Sequence, residues 1–205
     1  VATKGAHSRI LNAFRRGEID VLVGTQMIAK GLDFPKVTLV GVISADTALN
    51  LPDFRSGERT FNLLTQVAGR AGRGDLGGRV IIQTYTPAHY SIQAAKHHDY
   101  NTFYGKEISF RRELNLPPFS HMVSVMFRGR KEEKVLKVGE SLRQRLAKRD
   151  KAKKLELLGP APAPVSRMKG MYRWNLFLKS ARTEDAVSLL KKVTVALEAK
   201  VASSR

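Results

Sequence analysis

The chain has 205 residues, of which 42% are hydrophobic and 26% charged. These proportions are ordinary for a globular protein, and the length allows one large domain or two small ones. The sequence contains no cysteine, which excludes disulfides, thiol catalysis and cysteine-ligated zinc within it. No apolar run approaches the roughly 18 residues that a membrane span needs, and no signal-peptide pattern is present. We therefore expect a cytoplasmic protein that does not bind membranes.

Positive charge is concentrated in the second part of the chain. The sequence has 36 Lys and Arg against 18 Asp and Glu, a net charge of +18. Residues 1–127 hold 15 basic and 10 acidic side chains (+5), whereas residues 128–205 hold 21 and 8 (+13). Such an excess favours a polyanionic partner, with nucleic acid first and an anionic membrane a distant second. Because Val1 is not an initiator methionine, we also expect the sequence to be part of a longer protein.

The first part of the chain alternates predicted helices and strands. The predicted elements are a helix over 5–17, strands over 19–24, 37–43 and 79–84, and a helix over 57–72. The run over 37–43 is almost continuously apolar, which predicts a strand covered on both faces, as in a parallel sheet. We therefore predict a three-layer α/β domain over 1–95 whose sheet is incomplete at its N-terminal side.

A helical connector is predicted next, over 96–118. Residues 88–115 have a mostly helical pattern, and the Pro117-Pro118 pair ends it. The neighbouring His97, His98 and Asp99 are residue types that bind metals. Adjacent histidines point in different directions on a helix, so we predict no metal site there.

Residues 119–205 predict a second, smaller domain. Its predicted elements are strands over 121–127, 155–158 and 171–179, a stiff extended segment over 160–164, and helices over 131–148 and from Thr183 to about residue 200. Thr183 is a good N-cap, and two acidic residues follow it. The order β-α-β-β-α is one strand short of the ferredoxin-like pattern. We predict a compact ferredoxin-like α+β domain.

A glycine- and arginine-rich stretch over 66–74 is the strongest chemical signal. At 100° per helical residue, Gln66, Arg70 and Arg73 fall on one stripe. Gly69 and Gly72 each cost about 1 kcal/mol relative to alanine inside a helix. A ligand that approaches the backbone closely would explain both glycines, and arginine pairs bind phosphate oxygens well. The alternative is a surface helix that is destabilised by its glycines and whose arginines contact only solvent.

Two motifs resemble signature motifs of superfamily 2 helicases. Residues 21–35 (VLVGTQMIAKGLDFP) are similar to the fifth motif, and residues 66–73 (QVAGRAGR) to the sixth. Within that superfamily the chain most resembles the PriA family, the bacterial replication-restart helicases. That likeness rests on GTQM with AKG over 24–31, DFRSGER over 53–59, and GPAPAP over 159–164 with Tyr-Arg-Trp over 172–174. It covers most of the 205 residues and implies a second RecA-like helicase lobe.

The resemblance implies an ATP-driven 3′-to-5′ DNA helicase that acts at stalled forks during primosome assembly and replication restart. Arg70 and Arg73 match arginines that reach the ATP phosphates, where they would stabilise charge during phosphoryl transfer. Gln66 would help to place the nucleotide or the attacking water. Gly31 and Asp33 match positions that line the nucleotide side of the cleft between the lobes.

The same resemblance implies sites for DNA and for cofactors. Thr25 matches a residue that hydrogen-bonds a DNA phosphate, and Lys30 would add positive charge there or simply be solvated. ATP and Mg²⁺ would be shared with a first lobe that lies before Val1. Zinc would be bound only by a cysteine module that also lies before Val1. Since no Gly-x-x-x-x-Gly-Lys-Ser/Thr phosphate loop occurs here, we expect no ATP hydrolysis by this polypeptide alone.

The smaller domain carries a second candidate surface for DNA. Basic and aromatic side chains alternate around its proline-stiffened loop, namely Arg167, Lys169, Tyr172, Arg173 and Trp174. Phosphate contacts with stacking on Tyr172 or Trp174 would suit branched or single-stranded DNA. Alternatively, these two aromatic side chains face the domain core or the helicase lobe. The family resemblance adds the single-stranded-DNA-binding protein and other primosome proteins as partners.

A rival interpretation is a stand-alone basic nucleic-acid-binding module, or a lobe of another superfamily 2 remodeller. Sequence upstream of Val1 would separate these interpretations. A phosphate loop and paired cysteines there would favour the restart helicase.

Overall fold

The computed structural model describes residues 5–25, 37–69 and 77–202, without the side chains of His7 and of residues from 196 onward. The chain forms two compact units, Val1–Glu107 and Ile108–Arg205. The mixed α/β architecture predicted from the sequence is confirmed, with a parallel sheet in the first unit and an antiparallel sheet in the second.

The first unit consists of helices and a short parallel sheet. Its described elements are α1 (Ala6–Arg16), β1 (Leu39–Val42), α2 (Asp46–Leu49), α3 (Ser56–Ala68), β2 (Arg79–Ile82), α4 (Tyr90–Lys96) and α5 (Tyr100–Glu113), which continues into the second unit. The predicted strand over 19–24 is wrong, because these residues form neither a strand nor a helix. Val21 and Val23 are 73% and 77% exposed, and among the described residues no strand pairs with this apolar segment.

Strands β1 and β2 pair in parallel, with Leu39 opposite Arg79 and Val42 opposite Ile82. One face of this pair packs against the core that the helices form. The core comprises Ala45, Phe61, Leu64, Ile92, Ala94, Ala95 and Phe103. The other face is open in the described residues, where Leu39 and Ile81 are 56% and 53% exposed. The predicted burial of 37–43 on both faces is therefore wrong for the described part of the chain. An apolar run shows that a strand can be buried, but it does not show whether other elements pack on both of its faces.

A buried polar contact fixes the packing of α3 against α4 and α5. The hydroxyl of Tyr90 donates a hydrogen bond to Glu107 at 2.6 Å, and Glu107 is buried. A Cβ on Gly57 would lie 2.7 Å from that hydroxyl and 3.0 Å from the Glu107 carboxylate. A side chain at this position would force Tyr90 and Glu107 to shift and would disturb their buried hydrogen bond, which favours glycine here.

His89 caps the N-terminus of α4. Its Nδ1 accepts a hydrogen bond from the Ser91 amide at 3.2 Å. Burial of the ring lowers the pKa of His89, although the charge of Glu107 opposes this shift. The native state therefore favours the neutral imidazole, which is also the form that can accept the capping bond.

We expect the first unit to lose stability as the pH falls through about 6.5, because the unfolded state then binds the proton on His89 more readily. The loss should approach about 1 kcal/mol, the usual value of an N-cap. Urea unfolding followed by circular dichroism between about pH 7.5 and pH 5.5 measures it. His89→Asn supplies a cap acceptor that does not titrate and should flatten this dependence, whereas the exposed His98→Asn should not. An unchanged pH dependence in His89→Asn would contradict the assignment.

The second unit contains the predicted β-α-β-β-α order. Its described elements are β3 (His121–Gly129), α6 (Glu132–Arg149), β4 (Leu155–Met168), β5 (Met171–Ser180) and α7 (Thr183–Ala202). The strands form an antiparallel sheet in the order β3-β5-β4. In the part of the chain that the structure describes, this is the ferredoxin-like arrangement with three of its four strands.

Strand β4 is much longer than the predicted strand over 155–158. It continues through the proline-rich segment to Met168, with irregular pairing between Leu158 and Ala161 and between Pro162 and Arg167. Because β4 lies at an edge of the sheet, its prolines need not donate to a neighbouring strand on both sides. The prolines thus stiffen an edge strand and do not end it.

The two helices of the second unit cover one face of its sheet. We call this the helix face; it carries Val123, Val125 and Phe127 of β3 and Leu176 and Leu178 of β5. These side chains pack with Leu142, Leu146, Ala186 and Val193 of α6 and α7. The alternate residues of β3 are exposed, namely Ser124, Met126 and Arg128. We call their side of the sheet the open face.

Candidate functional site

Five of the predicted site residues lie outside the residues that the structure describes. They are Lys30, Gly31, Asp33, Arg70 and Arg73. Their roles therefore remain predictions.

Gln66 lies on the last turn of α3, and its side chain is exposed, while its neighbour Val67 is buried. The helix ends at Ala68, and the amide of Gly69 donates to the Thr65 carbonyl at 3.0 Å. A Cβ on Gly69 would meet that carbonyl at 3.5 Å, an ordinary contact. Contacts with the described residues therefore do not require this glycine. Gln66 is free to contact a molecule outside the chain's own core.

The carboxyl ends of β1 and β2 are joined by Asp46. Its carboxylate accepts hydrogen bonds from the Thr84 hydroxyl at 3.0 Å, the Tyr85 amide at 3.1 Å and the Thr86 hydroxyl at 2.9 Å. Burial alone would raise the pKa of Asp46, but these bonds outweigh it and lower the pKa. Ligands of parallel sheets bind at the carboxyl ends of the strands, and the hydrogen bonds to Asp46 hold these two strand ends together.

Thr25, which was predicted to bind DNA, is exposed.

The DFRSGER stretch forms a local ion-pair cluster. Asp53 contacts Arg59 at 2.9 Å and Arg55 at 3.2 Å, and the Arg55 guanidinium lies 5.2 Å from the centre of the Phe54 ring. Burial would raise the pKa of Asp53, but hydrogen bonds from Arg55 and the two arginine charges lower it. Asp53 thus remains ionised and orders the start of α3.

The predicted DNA-binding residues of the second unit divide between the two faces of the sheet. Lys169 and Gly170 form the turn of the β4–β5 hairpin with φ of 48° and 76°, as a type I′ turn requires. Arg167 and Tyr172 pair across the hairpin on the side of the helix face, and the Arg167 guanidinium lies 5.0 Å from the centre of the Tyr172 ring. The indole of Trp174 donates to Glu132 at 3.2 Å. Both aromatic rings are thus engaged within the unit.

Arg173 lies on the open face, opposite to its two aromatic neighbours. It pairs directly with Arg128 of β3, a residue that sequence reasoning missed. The missing signal was register, since the alternation of β3 places Arg128 outward but does not reveal its partner on β5.

In residues 5–25, 37–69 and 77–202, no group of three His, Asp or Glu side chains is placed to bind a metal ion. No helix in the same part of the chain is long and apolar enough to cross a membrane.

Two protein families match successive parts of the chain. Residues 2–75 match the family described as "Helicase conserved C-terminal domain". Residues 112–205 match the one described as "Primosomal protein N C-terminal domain". The segment between the two matches, residues 76–111, contains the division between the two compact units at Glu107 and Ile108.

Similar proteins carry the description "Replication restart protein PriA". The chain is 50% identical to the one from Bacillus subtilis over 93% of its own length and 24% of that protein's. It is 49% identical to the Synechocystis protein over 86% of its own length and 21% of that protein's, and 42% identical to that of Treponema pallidum over 87% and 27%. The chain spans about a quarter of the length of these relatives. It belongs, by both of its units, to the PriA family of replication restart proteins.

Proposed function

We propose that the chain is the second motor lobe and the C-terminal domain of an ATP-dependent 3′-to-5′ DNA helicase. The helicase would act at stalled replication forks, in primosome assembly and replication restart. The observation that carries this proposal is the succession of a helicase family match and a primosomal protein family match in one chain. The net charge of +13 in residues 128–205 supports a polyanionic substrate.

The nucleotide chemistry proposed for the first unit uses residues of the sixth motif. Arg70 and Arg73 would contact the ATP phosphates and stabilise the charge that develops during phosphoryl transfer. Gln66, exposed at the end of α3, fits a polar contact to the nucleotide or to water. Gly31 and Asp33 would line the same cleft. Mg²⁺ would be bound together with ATP, shared with a first lobe outside this chain.

DNA is the partner proposed for both units. Thr25 and Lys30 would contact the strand on which the motor moves, and the C-terminal domain would contact branched or single-stranded DNA. Family membership also suggests the single-stranded-DNA-binding protein and other primosome proteins as partners, in the bacterial cytoplasm. The rival proposal, a basic module that binds nucleic acid without a motor, is supported by the same positive charge.

The test compares this chain with the longer protein of its family that contains it. We expect the longer protein to hydrolyse ATP in the presence of forked DNA and to unwind a fork with a 3′ tail. The 205-residue chain alone should bind the same DNA without sustained ATP hydrolysis, since it has no phosphate loop. A longer protein that binds forks but neither hydrolyses ATP nor unwinds them would support the rival module. Sustained hydrolysis by the short chain would contradict the shared cleft.

A further inference from the structure

The open face of the second unit carries two arginines directly opposite each other. Arg128 on β3 and Arg173 on β5 are cross-strand partners, and like charges in this arrangement destabilise a sheet. Among the described residues, no carboxylate lies within ion-pair distance of either side chain. Two neighbouring positive charges therefore lack a counter-charge within this part of the chain.

Methionine side chains surround the Arg173 guanidinium. It donates to the sulfur of Met126 at 3.5 Å and to that of Met168 at 3.9 Å. Thioether sulfurs are weak, uncharged acceptors, so these contacts orient the guanidinium without neutralising it. Met126 and Met168 are 49% and 47% exposed. The result is an exposed, polarizable apolar surface with a planar cation between the two thioethers.

We propose that this part of the open face binds single-stranded DNA. Arg128 contacts the phosphate backbone, and unstacked bases pack on Met126, Met168 and the plane of Arg173. Arginine planes and apolar side chains both pack against bases, while guanidinium groups pair with phosphates. The inference rests on the proposed function and deepens it, because it assigns a surface and a substrate class to the C-terminal domain.

Single-stranded DNA fits this surface better than duplex DNA or an acidic protein. A duplex keeps its bases stacked inside, so it would gain nothing from the exposed methionines. The carboxylates of an acidic protein would pair with the arginines but would not pack on the methionines, whereas unstacked bases would. The two aromatic rings of the hairpin lie on the other side of the sheet, where Tyr172 contacts Arg167 and the Trp174 indole donates to Glu132. On the open face, methionine and arginine supply the surface on which bases can pack.

The experiment uses the whole 205-residue chain and a fluorescein-labelled oligo(dT) of about 20 nucleotides, with a duplex of equal length. Binding is measured by anisotropy at several salt concentrations. The double variant Arg128→Gln/Arg173→Gln should bind oligo(dT) about tenfold or more weakly, and its salt slope should fall by about 1 for each phosphate that is no longer neutralised. The matched control Lys137→Gln/Arg143→Gln removes two exposed charges from α6, on the other side of the sheet, and should change affinity by less than about threefold.

Substitution of the methionines tests a contribution to oligo(dT) affinity that does not depend on charge. Met126→Gln/Met168→Gln should weaken oligo(dT) binding about threefold or more, leave the salt slope unchanged, and spare duplex binding. Trp174 fluorescence confirms that each variant is folded. The inference is overturned if the arginine variant binds like its control, if the methionine variant binds oligo(dT) as the parent does, or if poly-glutamate competes as well as oligo(dT) at equal charge.

These outcomes distinguish the surface from the proposed function. If the parent chain binds DNA and the arginine variant matches its control, only the open-face assignment fails, and the motor assignment stands on ATP hydrolysis by the longer protein. If the parent chain binds no DNA at all, the surface is refuted together with the DNA-binding role of the C-terminal domain.

Discussion

Arg73→Lys in a longer PriA-family protein that contains this chain should lower kcat for DNA-stimulated ATP hydrolysis by about 10³-fold. Lysine retains the positive charge but not the planar fork that binds two phosphate oxygens. Arginines that act in this way contribute about 10³–10⁵ to kcat. The KM for ATP should change much less, because the interaction strengthens only as charge develops in the transition state.

Arg79→Lys is the matched control for this prediction. Arg79 is exposed at the start of β2 and has no predicted role at the nucleotide, so its replacement should leave kcat within about twofold of the parent. Arg70→Lys should resemble Arg73→Lys, and the double variant should be little worse than either alone, because residues that act as a unit are not additive. A kcat for Arg73→Lys within about tenfold of the parent would remove Arg73 from the reaction.

Sequence reasoning was most successful in the second unit. The alternation of β3 and the amphipathic helices α6 and α7 each bury one face within this unit, so local patterns and the final packing agree. The first unit was harder to predict because the burial of its apolar segments depends on elements that are distant in the sequence. Val21 and Val23 have the residue types of a strand, yet they are exposed and unpaired in the structure.

The candidate DNA site of the second unit stays a prediction, but the placement of its residues on the sheet can be compared with the sequence. Basic and aromatic residues occur together around the β4–β5 turn. Their division between the helix face and the open face follows from period-two alternation. The pairing of Arg173 with Arg128 depends on register between distant strands, which no local pattern specifies. Likewise, the three hydrogen bonds that converge on Asp46 join segments 38 to 40 residues apart.

The second prediction concerns whether the two units unfold independently of each other. Leu176 is completely buried among the side chains of α6, α7 and the sheet. Leu176→Ala should therefore destabilise the second unit by about 2–5 kcal/mol, because apolar burial is removed and a cavity is left behind. Leu158→Ala makes the same change on the adjacent strand, but that side chain is 38% exposed, so the cost should stay below about 1.5 kcal/mol.

Trp174 is the only tryptophan of the chain and lies in the second unit, so its fluorescence during urea unfolding reports on that unit. Leu64→Ala removes an equally buried leucine from the core of the first unit. If each unit unfolds around its own core, Leu176→Ala lowers the midpoint of the Trp174 transition and Leu64→Ala does not. A Trp174 midpoint lowered equally by both variants would mean that the units unfold as one cooperative body, and the C-terminal domain would then depend on the helicase lobe for its stability.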